Sequence, residues 1–139
     1  MKVEKPRGLI WLGVALGMVA LVSLLAGSVG SGPVEVSLKP TTIRGATPEL
    51  LALGKRVYEK QCAACHGLDG RGEGEAAYLL YPKPRDFTAG KFEMVSTWER
   101  VPTDEDLFMT ISRGMPGSAM PSWGHLSEEE RWGLVHYVK

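Results

Sequence analysis

Cys62-Ala63-Ala64-Cys65-His66 is a run in which residue type and spacing together specify a chemistry. On a helical turn two thiols three residues apart lie on one side, and an imidazole follows the second directly. Cys-x-x-Cys-His is the spacing of covalent haem attachment. Cys62 and Cys65 would each form a thioether to one porphyrin vinyl group, and His66 would offer a ring nitrogen to the iron. Half a zinc site and a redox dithiol share the Cys-x-x-Cys part. Zinc needs two more ligands of suitable spacing, and the other histidines are His125 and His136. A thioredoxin-like dithiol needs strands, and no run here has convincing hairpin chemistry. The reading is therefore one haem c, covalently attached.

An iron held by His66 has a second axial position, and the thioethers of Met94, Met109, Met115 and Met120 all follow the motif. Met109 sits beside Phe108 in a predicted helix and is read as core. Met115 and Met120 each precede a proline, which biases both to extended backbone suited to a ligand loop. Local physics does not separate these two, and His125 is a further candidate. His136 reads as a surface or helix-interface residue. Trp98 and Arg85 are candidates for contact with haem propionates.

These side chains need elements to hold them. The chain has 139 residues, 44% hydrophobic and 23% charged, which suits one ordinary domain plus an appendage. That is too short for a doubly wound α/β enzyme or a (β/α)8 barrel. With 16 basic and 16 acidic residues the net charge is zero, without the basic footprint of a nucleic-acid binder. Thr47-Pro48-Glu49 opens a helix through Leu50, Leu51, Val57 and Tyr58 up to the cysteines. Glycines and prolines make His66 to Thr97 a loop with short helical turns. Thr103 with Asp106 caps a helix over Asp104 to Arg113 that presents Leu107, Phe108 and Ile111 and stops at Gly114. Ser127 with Glu130 caps a last helix carrying Trp132, Val135 and Val138. The domain, residues 47–139, is all-α, and fewer than 100 residues in short helices leave a thin core that a haem would fill.

The N-terminus is organised differently. Leu9 to Ala26 is almost continuously apolar, and 18 helical residues span about 27 Å, close to the hydrocarbon thickness of a bilayer. Lys2, Lys5 and Arg7 precede it, so positive-inside asymmetry keeps the N-terminus in the cytoplasm and exports the domain. Residues 1–27 are read as a transmembrane anchor, with a signal peptide cleaved after Ala26-Gly27-Ser28 as the rival. Residues 28–46 are read as a flexible linker.

The domain resembles the monohaem class I cytochrome c family over Thr47 to Lys139. Besides the attachment motif, Gly54 and Tyr58 match the small residue and aromatic with which the family's first helix crosses its last. Leu134 and Tyr137 match the positions that meet them. The segment Gly114-Met115-Pro116-Gly117-Ser118-Ala119-Met120-Pro121-Ser122-Trp123 is similar to the family's sixth-ligand loop, and its register implies Met120 as that ligand. Pro82-Lys83-Pro84-Arg85-Asp86-Phe87 is similar to a segment of bacterial members in which a proline carbonyl accepts the proximal imidazole's hydrogen bond. Pro82 and Pro84 are both candidates.

With both axial positions closed by His66 and Met120, no site remains for a substrate, and a single electron is what the iron can exchange. The expectation is a membrane-anchored carrier, or a haem subunit of a larger complex, on the periplasmic side of a bacterial cytoplasmic membrane. Its redox partners would be a quinol-oxidising complex or dehydrogenase and a terminal oxidase or reductase, in a respiratory or photosynthetic chain. The rival is a haem peroxidase or gas sensor with a labile sixth ligand.

Overall fold

The computed structural model describes residues 37–139. The expected anchor, residues 1–27, and residues 28–36 of the expected linker lie outside the described residues. Among those described, no helix is long and apolar enough to cross a membrane. They form an all-helical domain: α1 (Pro48–Gln61), α2 (Ala63–His66), a 3-10 turn (Ala77–Leu79), α3 (Asp104–Arg113) and α4 (Glu128–Val138).

Each long helix begins where local chemistry starts it. The Thr47 hydroxyl accepts the Leu50 N–H at 3.2 Å, with Pro48 in the first turn of α1. Thr103 and Asp106 form a reciprocal capping box at α3, and Ser127 and Glu130 another at α4. Leu50, Gly54, Val57 and Tyr58 make the buried face of α1. Leu51, the next residue, is exposed, because one residue along a helix turns the side chain by about 100°.

The core is built where α1 crosses α4. A Cβ on Gly54 would stand 2.0 Å from the Gly133 carbonyl oxygen, so the two backbones touch directly. Tyr58 and Tyr137 flank this crossing with ring centroids 5.2 Å apart. Phe108 and Trp132, both fully buried at 4.8 Å, join α3 to α4.

Residues 37–44, expected to be flexible linker, are instead held on α4. The Glu128 carboxylate accepts the Thr41 and Thr42 N–H groups at 3.0 Å and the Thr41 hydroxyl at 2.7 Å. Trp132 Nε1 donates to the Thr42 carbonyl at 2.8 Å, and Arg131 Nη1 to that of Ser37 at 2.9 Å. His136 Nε2 bonds the Arg44 carbonyl at 2.7 Å. Positions 128, 131, 132 and 136 recur at helical spacing, so one face of α4 carries this strap.

Candidate functional site

A cavity of ≈ 310 Å³ lies between the cysteine run, the 80–94 loop, α3, the 115–123 loop and α4. Cys62, Cys65 and His66 line it together with Met94, Met115 and Met120. Tyr58, Phe87, Leu107, Ile111 and Leu134 supply apolar wall. Two thiols, an imidazole and thioethers thus meet in an otherwise largely apolar space, the donor set and surroundings that a covalently held haem requires. Another groove, ≈ 410 Å³ and lined by Arg71, Glu73, Tyr78 and Lys83, brings no sulfur or imidazole together.

The cysteine run is held by its own backbone. Cys62 N–H bonds the Tyr58 carbonyl and so continues α1 into α2. The chain then doubles back, and N–H groups of Gly72, Gly74 and Ala76 donate to the carbonyls of His66, Cys65 and Ala64 at 2.8, 3.1 and 2.8 Å. Gly74 has no side chain because a Cβ would meet the Ala64 and Ala63 oxygens at 2.4 and 2.5 Å. The Tyr58 hydroxyl donates to the Gly67 carbonyl at 2.7 Å. Burial, then the neighbouring Cys65, pushes the Cys62 thiol up to about 11.

His66 is fixed on two sides. Its Nδ1 lies 3.1 Å from the Arg85 carbonyl oxygen, and the Phe87 ring stacks on it at 4.5 Å and 19°. Burial pulls the imidazole below its ordinary value, against the Arg85 bond, which acts to raise it. The ring is therefore neutral at pH 7: Nδ1–H donates to Arg85, and Nε2 is the nitrogen with a free lone pair. The acceptor is thus neither Pro82 nor Pro84. The Pro84 carbonyl is turned toward Gly72, where a Cβ would stand only 2.4 Å from its oxygen, and the next carbonyl serves His66.

The thioether loop is closed just as firmly. Met115 N–H donates to the Met120 carbonyl at 3.1 Å, and Met120 N–H to the Ser118 hydroxyl at 3.2 Å. Gly114 (φ +75°) ends α3 where a Cβ would meet Pro121 backbone at 2.6 Å. Trp123 N–H then bonds the Ile111 carbonyl at 3.1 Å.

Other expectations fare unevenly. Met109 does not line the cavity but is half-buried rather than core, and His125 is exposed outside the cavity. Trp98 is 96% exposed and lines no part of it, since its loop turns the indole outward. Arg85 does line it and is paired with Glu93 at 2.9 Å. Sequence reasoning missed Gly133, although a glycine inside a well-capped helix conflicts with propensity and so signals close packing. It also missed the Arg85 carbonyl, which no side-chain pattern could reveal.

The family profile described as cytochrome c oxidase, cbb3-type, subunit III matches residues 49–138. Cytochrome c55X of Stutzerimonas stutzeri is 29% identical over 120 residues, covering 84% of each chain. Cytochrome c6 of Chlorolobion braunii is 34% identical over 89 residues, 63% of this chain and 86% of that one. In three dimensions the chain is similar to one from the reducing HAO-like protein complex of Kuenenia stuttgartiensis. That match has a TM-score of 0.62 at 34% identity, and it covers 70% of this chain but only 46% of the other.

Proposed function

This chain belongs to the cytochrome c family and binds one haem c covalently, and on that premise we propose that it is a membrane-tethered one-electron carrier whose iron is closed by His66 and Met120. The bound haem supplies a single one-electron couple. Cys62 and Cys65 hold it in place, and His66, oriented by the Arg85 carbonyl and the Phe87 ring, presents Nε2. Met120, on its hydrogen-bonded loop, would supply the thioether ligand. The apolar walls around Leu107, Ile111 and Leu134 exclude water and favour the less charged, reduced state. The observation that carries this reading is the single cavity shared by Cys62, Cys65, His66 and Met120. The charge asymmetry around Leu9–Ala26 supports a tether with the domain on the periplasmic side of a bacterial membrane. Partners of matching reach are membrane complexes: a quinol-oxidising complex or dehydrogenase as donor, an oxidase or reductase as acceptor.

Met115 and Met120 line the same cavity, so their exchange for alanine is the test. Met120→Ala should abolish the weak sulfur-to-iron absorption at the red edge of the ferric spectrum, lower the potential and admit carbon monoxide to the ferrous form. Met115→Ala should leave all three in place, because loss of packing alone would affect both variants. Rapid carbon monoxide binding by the wild type would overturn the carrier reading in favour of a sensor or peroxidase.

A further inference from the structure

Arg131 is a buried cation that the proposed function does not use. It is 5% exposed, and among the described residues no carboxylate forms a salt bridge with it. Its guanidinium lies over the Phe108 ring at 4.6 Å, Nη1 donates to the Ser112 hydroxyl at 2.6 Å and the Ser37 carbonyl at 2.9 Å, and Nε is unpartnered. Burying such a charge is expensive, and an apolar side chain of similar volume commonly serves a fold at least as well. Stability alone is a poor reason for an arginine here.

Its contacts lead to the thioether loop. Fully buried Ser112 accepts from Arg131 and donates to the Phe108 carbonyl at 2.7 Å, so its place on α3 is fixed from two helices. Near the C-terminus of α3 the Ser112 carbonyl has no partner within the helix. The Ser122 hydroxyl takes that position at 2.6 Å. Ser122 is two residues beyond Met120, and the Trp123 bond to Ile111 adds a second tie to the same turn. One continuous chain of contacts therefore runs from the buried guanidinium to the backbone that carries Met120.

We propose that Arg131, Ser112 and Ser122 form a brace that presses the Met120 loop against α3 and sets how readily the thioether leaves its place. These are positioning residues, and the role rests on the assignment of Met120 above. A brace of this kind acts on the equilibrium between closed and open loop, whereas a purely structural contact acts on folding alone.

The test uses the ferric holoprotein and cyanide, which binds only when the thioether has left. Ser122→Ala, a change at the surface end of the chain, should speed cyanide binding about fivefold, the size of one neutral hydrogen bond lost from the closed form. Arg131→Met should speed it about tenfold, since the lost bond is charge-assisted. Glu128→Gln removes the Thr41 and Thr42 ties of the strap on the same helix while leaving the Arg131–Ser112 and Ser122–Ser112 bonds in place, and its cyanide rate should stay within about twofold of wild type. Wild-type rates in Ser122→Ala and Arg131→Met, with only thermal stability altered, would overturn the brace. Equal acceleration in Glu128→Gln would also overturn it, as general softening. The Met120→Ala spectrum separates the premise from the inference: survival of the sulfur-to-iron band there removes the ligand and the brace together. Its loss, combined with unchanged cyanide rates in the brace variants, removes the brace alone.

Discussion

At the scale of single residues, His66 depends on a glycine six positions away. Gly72 has φ +77°, and a Cβ there would stand 2.4 Å from the Pro84 oxygen and 3.2 Å from both atoms of the Arg85 carbonyl. An alanine must therefore displace the carbonyl that accepts the His66 proton. On the proposed ligation, that bond would make the imidazole a more basic ligand and so favour the ferric state. Gly72→Ala should accordingly raise the reduction potential by about 20–60 mV, the equivalent of a bond worth roughly 0.5–1.5 kcal/mol. Redox titration checks this, and an unchanged potential with the haem still bound would show that the carbonyl is not needed. The donor side of this arrangement was legible because Cys-x-x-Cys-His carries its chemistry in spacing alone. Its acceptor was not legible, because every residue has a carbonyl and only the path of the chain selects Arg85 over Pro82 or Pro84. Met120 stands between these cases: two Met-Pro pairs in one loop look alike locally, and both do reach the cavity.

Among the elements, the capping boxes at Thr103 and Ser127 and the stop at Gly114 were readable, because caps are short-range chemistry. The contact that decides the fold was only half readable. Gly54 was recognised, but the backbone that meets it, Gly133, was not; Leu134 is buried in the same core cluster as Tyr58 and also lines the cavity. Backbone meets backbone there, so no rotamer change relieves an added methyl group. Gly54→Ala should destabilise the holoprotein by about 3 kcal/mol, the upper range for overpacking, in denaturant titration. A loss under about 1 kcal/mol would mean that the helices move apart freely.

The strap escaped sequence reading for another reason: VEVSLKPTTIRGA has no periodicity, and its ties are backbone groups bonded to side chains nearly 90 residues away. Its acid sensitivity follows from Glu128. The Thr41 hydroxyl is the largest influence holding that carboxyl below its ordinary value of 4.5; burial, next in size, opposes it, and the Thr42 and Thr41 amides and Trp132 add to the lowering. A depressed folded value means that the tie is fully present above the unfolded value and is lost as pH falls through the folded one. Hydrogen exchange at the Thr41 and Thr42 amides, corrected for intrinsic rates, should lose protection as the pH falls through the lowered folded value of Glu128, and Glu128→Gln should remove that dependence. Protection that persists unchanged to pH 2 would assign the strap to Trp132 and Arg131 instead.

For the whole molecule, the question is how a nearly neutral domain finds its partners. From Glu35 onward there are 13 basic and 15 acidic residues, a net charge of −2, too little for strong long-range steering. The proposed tether would supply what charge does not, since confinement near a membrane complex raises the effective concentration toward the millimolar range. Two consequences can be measured together in membrane vesicles that contain the donor and acceptor complexes. The full chain should stay with the membrane through a high-salt wash, because a spanning helix inserts almost irreversibly whereas a neutral domain washes off. A chain beginning at Ser37 should keep the spectrum and potential of the full protein but support electron flux only when added at far higher concentration. Flux through the tethered form should change little with ionic strength, as screening has little net attraction to remove. Release of the full chain by salt, with a mature N-terminus mapped near Val29, would instead identify residues 1–28 as a cleaved signal. Delivery would then depend on diffusion, and a steep fall of flux with salt would locate the missing attraction in a local patch rather than in the net charge.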